Sequence, residues 1–191
     1  MALTGFACVT SITPGPNNMM LLASGLNFGF RHSIPHMLGI GIGFGTMIVI
    51  IGLGLGKVFE AVPLFYTMLR YCGGAYMLWL AWKIAASGPI GDGDQKGKPL
   101  SFVQAAMFQW VNPKAWIMAI TAIATYTVPQ NYIFSVLMVG LVFVIVNIPS
   151  ISSWTLFGSA LRRWLNDPRL VRWFNIAMAL LLVASLLPFL F

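Results

Sequence analysis

The sequence predicts an all-α integral membrane protein with six transmembrane helices, arranged as a 3+3 inverted repeat in which helices 1 and 4 are broken. Three observations carry that expectation. Apolar runs of about 20 residues or more recur along the chain, the length a helix needs to cross the hydrocarbon layer. Only 8% of residues are charged and 59% are hydrophobic, whereas a soluble domain carries about 25% charged residues. Prolines also interrupt two of the runs at matching depth: Pro14 lies 11 residues after Leu3, and Pro113 lies 11 residues after Phe102.

The spans are expected at 3–27, 36–56, 66–86, 102–127, 132–157 and 170–190, in one transmembrane domain covering 1–191. The first stretch lacks the basic leader of a cleavable signal peptide, so the first span is read as its own targeting signal. Between the third and fourth spans lies "SGPIGDGDQKGKP" (Ser87 to Pro99), too rich in Gly, Pro and Asp to pack. This linker, 87–101, divides the chain into halves of about 1–86 and 102–191. An odd number of spans per half makes the halves insert with opposite topology, the inverted-repeat plan. "LRYCGGA" (Leu69 to Ala75) and "VRWFNIA" (Val171 to Ala177), opening the third and sixth spans, each place Arg before an aromatic residue. Orientation follows from the basic residues. Arg31, Lys83, Lys96, Lys98, Arg162, Arg163, Arg169 and Arg172 flank the first, third and fifth connections, against Lys57 and Arg70 on the other side. Basic loops stay in the cytoplasm, which puts both termini outside.

The same rule explains the net charge of +7 without nucleic acid, since no basic, aromatic-interleaved patch on a soluble domain is present. The four acids, Glu60, Asp92, Asp94 and Asp167, fall in or beside polar breaks, leaving no carboxylate in the bilayer core. Cys8 and Cys72 lie in apolar segments and read as small hydrophobes. No metal site or cofactor is predicted.

"SITPGPNNMM" (Ser11 to Met20) is the most informative stretch. Pro14 and Pro16 lack an N–H and free the carbonyls of Thr10 and Ile12, while Gly15 lets the chain bend between them. Pro113 frees the carbonyl of Gln109 in the same way. Freed backbone groups at membrane depth are tolerated only where they are buried in protein or line a polar cavity. A pair of such breaks in corresponding positions points to a transport site. Asn17 and Asn18 follow the first break, at a new helix N-terminus suited to a carboxylate. "QWVNPKAW" (Gln109 to Trp116) faces them with Gln109, Asn112 and Lys114. Lys114 is the one cation placed near the middle of a span, and an intramembrane ionisable residue is a functional hypothesis by default. Its expected partner is a substrate carboxylate or a freed backbone carbonyl. The plainer alternatives are a snorkelling Lys114 and asparagines that merely cap a kink.

Other features read as structural. "GIGIGFG" (Gly39 to Gly45) and "GLGLGK" (Gly52 to Lys57) lack the full phosphate-loop pattern and suit close helix packing, within the protomer or across a homodimer. Trp79, Trp82, Trp164 and Trp173 read as an interfacial belt against membrane lipid. Asn147 and Pro149 read as a kink, and His36 as an interfacial side chain.

"TPGPNN" (Thr13 to Asn18), "GFRHS" (Gly29 to Ser33), "GGAYMLWLAWKIA" (Gly73 to Ala85) and "FQWVNPKAW" (Phe108 to Trp116) together resemble the lysine-exporter (LysE/RhtB) family of bacterial amino-acid exporters. "WLAWKIA" and "KPLSF" (Lys98 to Phe102) are most similar to its cysteine and O-acetylserine branch. The resemblance implies an exporter in the bacterial inner membrane, not an enzyme, with a small amino acid as partner and the proton as coupling ion. The absence of membrane-embedded acids argues against cationic substrates, whose extra ammonium would lack a counter-charge. A small neutral amino acid or derivative is therefore expected. It would be held by Asn17, Asn18 and Lys114, with Thr13, Gln109 and Asn112 nearby and Pro14, Gly15, Pro16 and Pro113 as hinges. The competing class is a passive channel or an ion or metal exporter on the same scaffold.

Overall fold

The computed structural model describes residues 1–55, 63–87, 98–165 and 167–187. The described residues are helical or connecting, without a strand. Lys57, Glu60, Asp92, Asp94, Lys96 and most of the linker lie outside them.

The region expected as the first span is two helices, α1 (Ala2–Ile12) and α2 (Pro16–Phe28). Thr13 and Gly15 each precede a proline, which pushes them out of the helical region. Thr13 is extended at φ −62° and ψ 144°, Gly15 at φ −178° and ψ 176°, so the chain does not turn at the glycine. Pro16 then occupies the first position of α2, where a missing N–H costs nothing. A single residue, Gly29, joins α2 to α3 (Phe30–Ile50) at φ +81°, a left-handed conformation that glycine alone adopts cheaply. The second span therefore starts six residues earlier than the expected 36. Pro35 is tolerated inside α3 because the carbonyl it frees, that of Arg31, lies at an exposed helix end. A π-helical turn, Ile51–Leu55, completes this span.

Helix α4 covers Pro63–Ala85. The region expected as the fourth span is again double: α5 (Phe102–Val111) and α6 (Pro113–Tyr126) meet at Asn112. Helix α7 (Tyr132–Trp164) runs 33 residues with Pro149 inside it, about 50 Å, and outlasts the expected 132–157 because no proline follows Pro149 until Pro168. Helix α8 covers Pro168–Ala184. Two stretches, Phe30–Gly54 and Pro129–Arg162, are each long and apolar enough to cross a membrane. The two proline-broken regions each consist of two shorter helices.

Packing joins spans far apart in sequence. Helices α1 and α2 lie on α7, α5 lies on α3, α3 meets α7 and α4 meets α8. The glycines of α3 explain how it serves two neighbours. A Cβ on Gly39 or Gly43 would run into Phe102 or Ala106 of α5, and one on Gly41 or Gly45 would meet Ile148 or Val144 of α7. Two small-residue faces, each spaced by four and offset by two, thus point opposite ways and are both used within one protomer. Helices α2 and α7 touch backbone to backbone, with Gly25 against the Thr155 carbonyl and Gly158 against that of Leu22. Cys8, Cys72 and the four belt tryptophans stand exposed on the outer surface.

Candidate functional site between the two helix breaks

The two breaks touch. The Lys114 ammonium, on the first turn of α6, donates to the Thr13 carbonyl and the Thr13 hydroxyl, both at 2.8 Å, and to the Pro14 carbonyl at 3.4 Å. Backbone carbonyls thus hold the cation, one of the two partners expected from sequence, although they belong to Thr13 and Pro14 rather than Thr10 and Ile12. Gly15 accommodates this contact: a Cβ there would stand 2.7 Å from Lys114 Cδ. Its extended backbone does not turn, which corrects its reading as a bend, and the space beside it is taken by the flexible lysine stem.

The carbonyls that the prolines free are each met. The Thr13 hydroxyl donates to the Thr10 carbonyl at 2.9 Å, the Trp154 indole to that of Ile12 at 3.1 Å, and the Asn112 amide to that of Gln109 at 3.3 Å. Asn18, buried, donates its side-chain amide to the carbonyls of Ser11 and Thr13, both at 2.8 Å. Asn112 caps α6, accepting from the Lys114 amide at 3.1 Å, so "NPK" spells N-cap, first and second helical positions. Helix α2 begins without a side-chain cap.

Asn17 and Gln109 join the breaks a second time. Asn17 Nδ2 donates to Gln109 Oε1 at 2.8 Å, and Gln109 Nε2 donates back to Asn17 Oδ1 at 3.1 Å and to the Ala105 carbonyl at 2.9 Å. Gln109 is fully buried.

A cavity of about 30 Å³ lies among these groups. Gly15, Asn17, Asn18, Gln109, Asn112 and Lys114 line it as expected, while Thr13, Pro14, Pro16 and Pro113 shape the breaks around it. Sequence reasoning missed Thr10, Ser11 and Asn147, which also line it. Asn147, which reads from sequence as a kink residue, is 5% exposed and stands in the cavity wall; an amide in the apolar run of α7 is the signal available for it. Ser11 Oγ is buried with no hydrogen-bond partner. A water centre needs roughly 10–15 Å³, so the cavity has room for about two or three waters and must widen to admit a larger guest.

His36 is not interfacial. It is 2% exposed, with neither ring nitrogen hydrogen-bonded. A second buried amide pair, absent from the sequence reading, links α2 to α8. Asn27 Nδ2 donates to Asn175 Oδ1 at 2.9 Å and Asn175 Nδ2 returns a bond at 3.1 Å.

An apolar exterior around inward-facing amides, with two helices broken against each other, defines an all-α membrane protein with an internal polar site. The LysE type translocator profile matches residues 8–187, and this chain belongs to that family, whose members are translocators and not enzymes. Curated relatives include the cysteine/O-acetylserine efflux proteins of Escherichia coli strain K12 and of Shigella sonnei strain Ss046. Each is 34% identical over 179 residues, covering 93% of this chain and 90% of the relative. No solved structure matches the chain.

Proposed function

We propose that this protein exports a small neutral amino acid or derivative, of the cysteine or O-acetylserine kind, across the bacterial inner membrane. Alternating access of two inverted three-span halves moves the substrate. The observation that carries the reading is the Lys114 ammonium resting on the carbonyls of the opposite break. A substrate carboxylate is a stronger acceptor than a carbonyl and draws the ammonium away, which opens the cavity. The amides of Asn17, Asn18 and Asn147 and the unpartnered Ser11 hydroxyl serve the rest of a zwitterion. Among the described residues no carboxylate lines the cavity, which disfavours lysine-like cargo. The efflux proteins it resembles are named for neutral substrates.

The packing supports the repeat. Exchanging spans 1, 2 and 3 for 4, 5 and 6 turns the contact of α1 and α2 with α7 into that of α5 with α3, and the contact of α4 with α5 into that of α8 with α2. The contacts of α3 with α7 and of α4 with α8 map onto themselves. Basic connections face the cytoplasm, both termini face the periplasm, and proton-motive force drives export. A C-terminal reporter active only in the cytoplasm stays silent on this account.

Counterflow in proteoliposomes tests the function, using labelled cysteine, O-acetylserine, threonine, leucine and lysine with and without a pH gradient. Saturable uptake of neutral species, enhanced by the gradient, is expected. Lysine uptake overturns the argument from missing acids, and silence for all five returns the passive-channel and metal-exporter readings.

A further inference from the structure

A larger cavity, of about 230 Å³, opens beside the C-terminal half of α2, the end of α4 and the linker residues from Lys98. It is separate from the site between the breaks and shares no lining residue with it. Its wall runs from Trp82, Lys83 and Lys98 at an exposed mouth to Ser24, Asn27 and His36, all three under 9% exposed. Buried polar atoms without partners are rare in native proteins, yet among the described residues both His36 nitrogens lack one; both are closed off, so a guest reaches them once the ring turns toward the cavity. The other polar groups inside are engaged: Ser24 with Ser33 at 2.7 Å, and Asn27 with Asn175. Lys83 lies over the Trp79 ring at 4.6 Å. Among the described residues Lys98 forms no ion pair and no carboxylate lines the cavity.

We propose that this cavity is a loading site, where a small zwitterionic amino acid docks on His36 and Lys98 before it passes to the helix breaks. The chemistry is matched at both ends of such a molecule. A neutral imidazole has one N–H to give a carboxylate and one bare nitrogen to accept from an ammonium, while Lys98 adds charge for the carboxylate at the mouth. The volume admits on the order of fifteen water centres, ample for a guest the central site is too tight to hold unopened. The route is laid out on one helix. Asn17, Met20, Ser24 and Asn27 follow at spacings of three and four along α2, hence on one face, and Ser24 lies about 10 Å along the axis from Asn17. The positions of Lys83 and Lys98 put the mouth on the side the basic residues assign to the cytoplasm.

The proposal rests on the export reading, and equilibrium binding of labelled O-acetyl-L-serine to the full chain in phosphatidylcholine nanodiscs separates the two. Two saturable sites per protomer are expected. His36→Leu removes one or weakens it at least about tenfold, the loss expected for a bond to a charged group. His36→Gln, which keeps a donor and an acceptor, restores it, and Lys114→Met removes the other site only. Should His36→Leu fail to fold, Ala86→Phe blocks the mouth from an exposed position and removes the same site. One site that depends on Lys114 alone overturns the loading site and leaves export standing. Loss of the His36-dependent site on adding anionic lipid reassigns the cavity to a headgroup and overturns it too. Absence of both binding and counterflow overturns the export reading itself.

Discussion

If the two helix breaks act as one unit, Asn17 and Gln109 must be energetically coupled, and the structure sets the size of that coupling. Asn17→Ala removes two bonds, of 2.8 and 3.1 Å, and leaves Gln109 Oε1 unpaired in a fully buried residue. A net hydrogen bond contributes about 1 kcal/mol and an orphaned buried acceptor costs about 1–3 kcal/mol, so this variant loses about 3 kcal/mol. Gln109→Leu removes the same two bonds and the one to the Ala105 carbonyl, while the half-buried Asn17 amide faces the cavity and can take water. It loses about 3 kcal/mol. The double variant orphans nothing and loses those bonds once, so on the same figures it costs less than the sum by about 3 kcal/mol; polar pairs inside membrane proteins reach about 1.7 kcal/mol, and a coupling of about 1.5 kcal/mol or more is expected. The assay is a double-mutant cycle on the purified protein, with reversible unfolding in mixed detergent micelles followed by tryptophan fluorescence. Additivity within about 0.4 kcal/mol refutes the reasoning, since the amides would then contribute separately and the breaks would not be linked through them.

Two further outcomes concern the frame around the site. Gly158→Ala sets a Cβ on the Leu22 carbonyl, so α2 and α7 must part; a loss of about 1–3 kcal/mol is expected in the same titration, and an unchanged midpoint contradicts the backbone contact. Trp154→Phe keeps the ring but withdraws the N–H from the Ile12 carbonyl; a loss of about 0.5–1 kcal/mol is expected at this exposed bond, and wild-type stability would show that the freed carbonyl is met in another way.

What could be read from the sequence was what the chain decides locally. Proline removes a donor wherever it stands, so the breaks at Thr13–Gly15 and Asn112, the freed carbonyls and the cap at Asn112 follow from a few adjacent residues. The glycine pattern of α3 likewise announced close packing. Partners were another matter. The Asn17–Gln109 pair spans 92 positions and Asn27–Asn175 spans 148, and no local pattern tells one buried amide which other amide it will meet. Asn147 and His36 were misplaced for the same reason: a polar residue in or beside an apolar run looks alike whether it marks a kink, an interface or a cavity wall. Gly15 shows the complementary error, where conformational freedom was credited to a residue whose backbone is extended and whose missing side chain is what matters.

The central claim is that Lys114, bridging the breaks, is the group that receives the substrate. Lys114→Met isolates that role, because Asn18 holds the Thr13 carbonyl independently and the break should persist without the ammonium. The decisive measurement is counterflow of labelled O-acetyl-L-serine by Lys114→Met in proteoliposomes, normalised to inserted protein. Loss of saturable counterflow at near-wild-type insertion is the result expected. Counterflow at the full wild-type rate would contradict it and reduce Lys114 to a structural clamp.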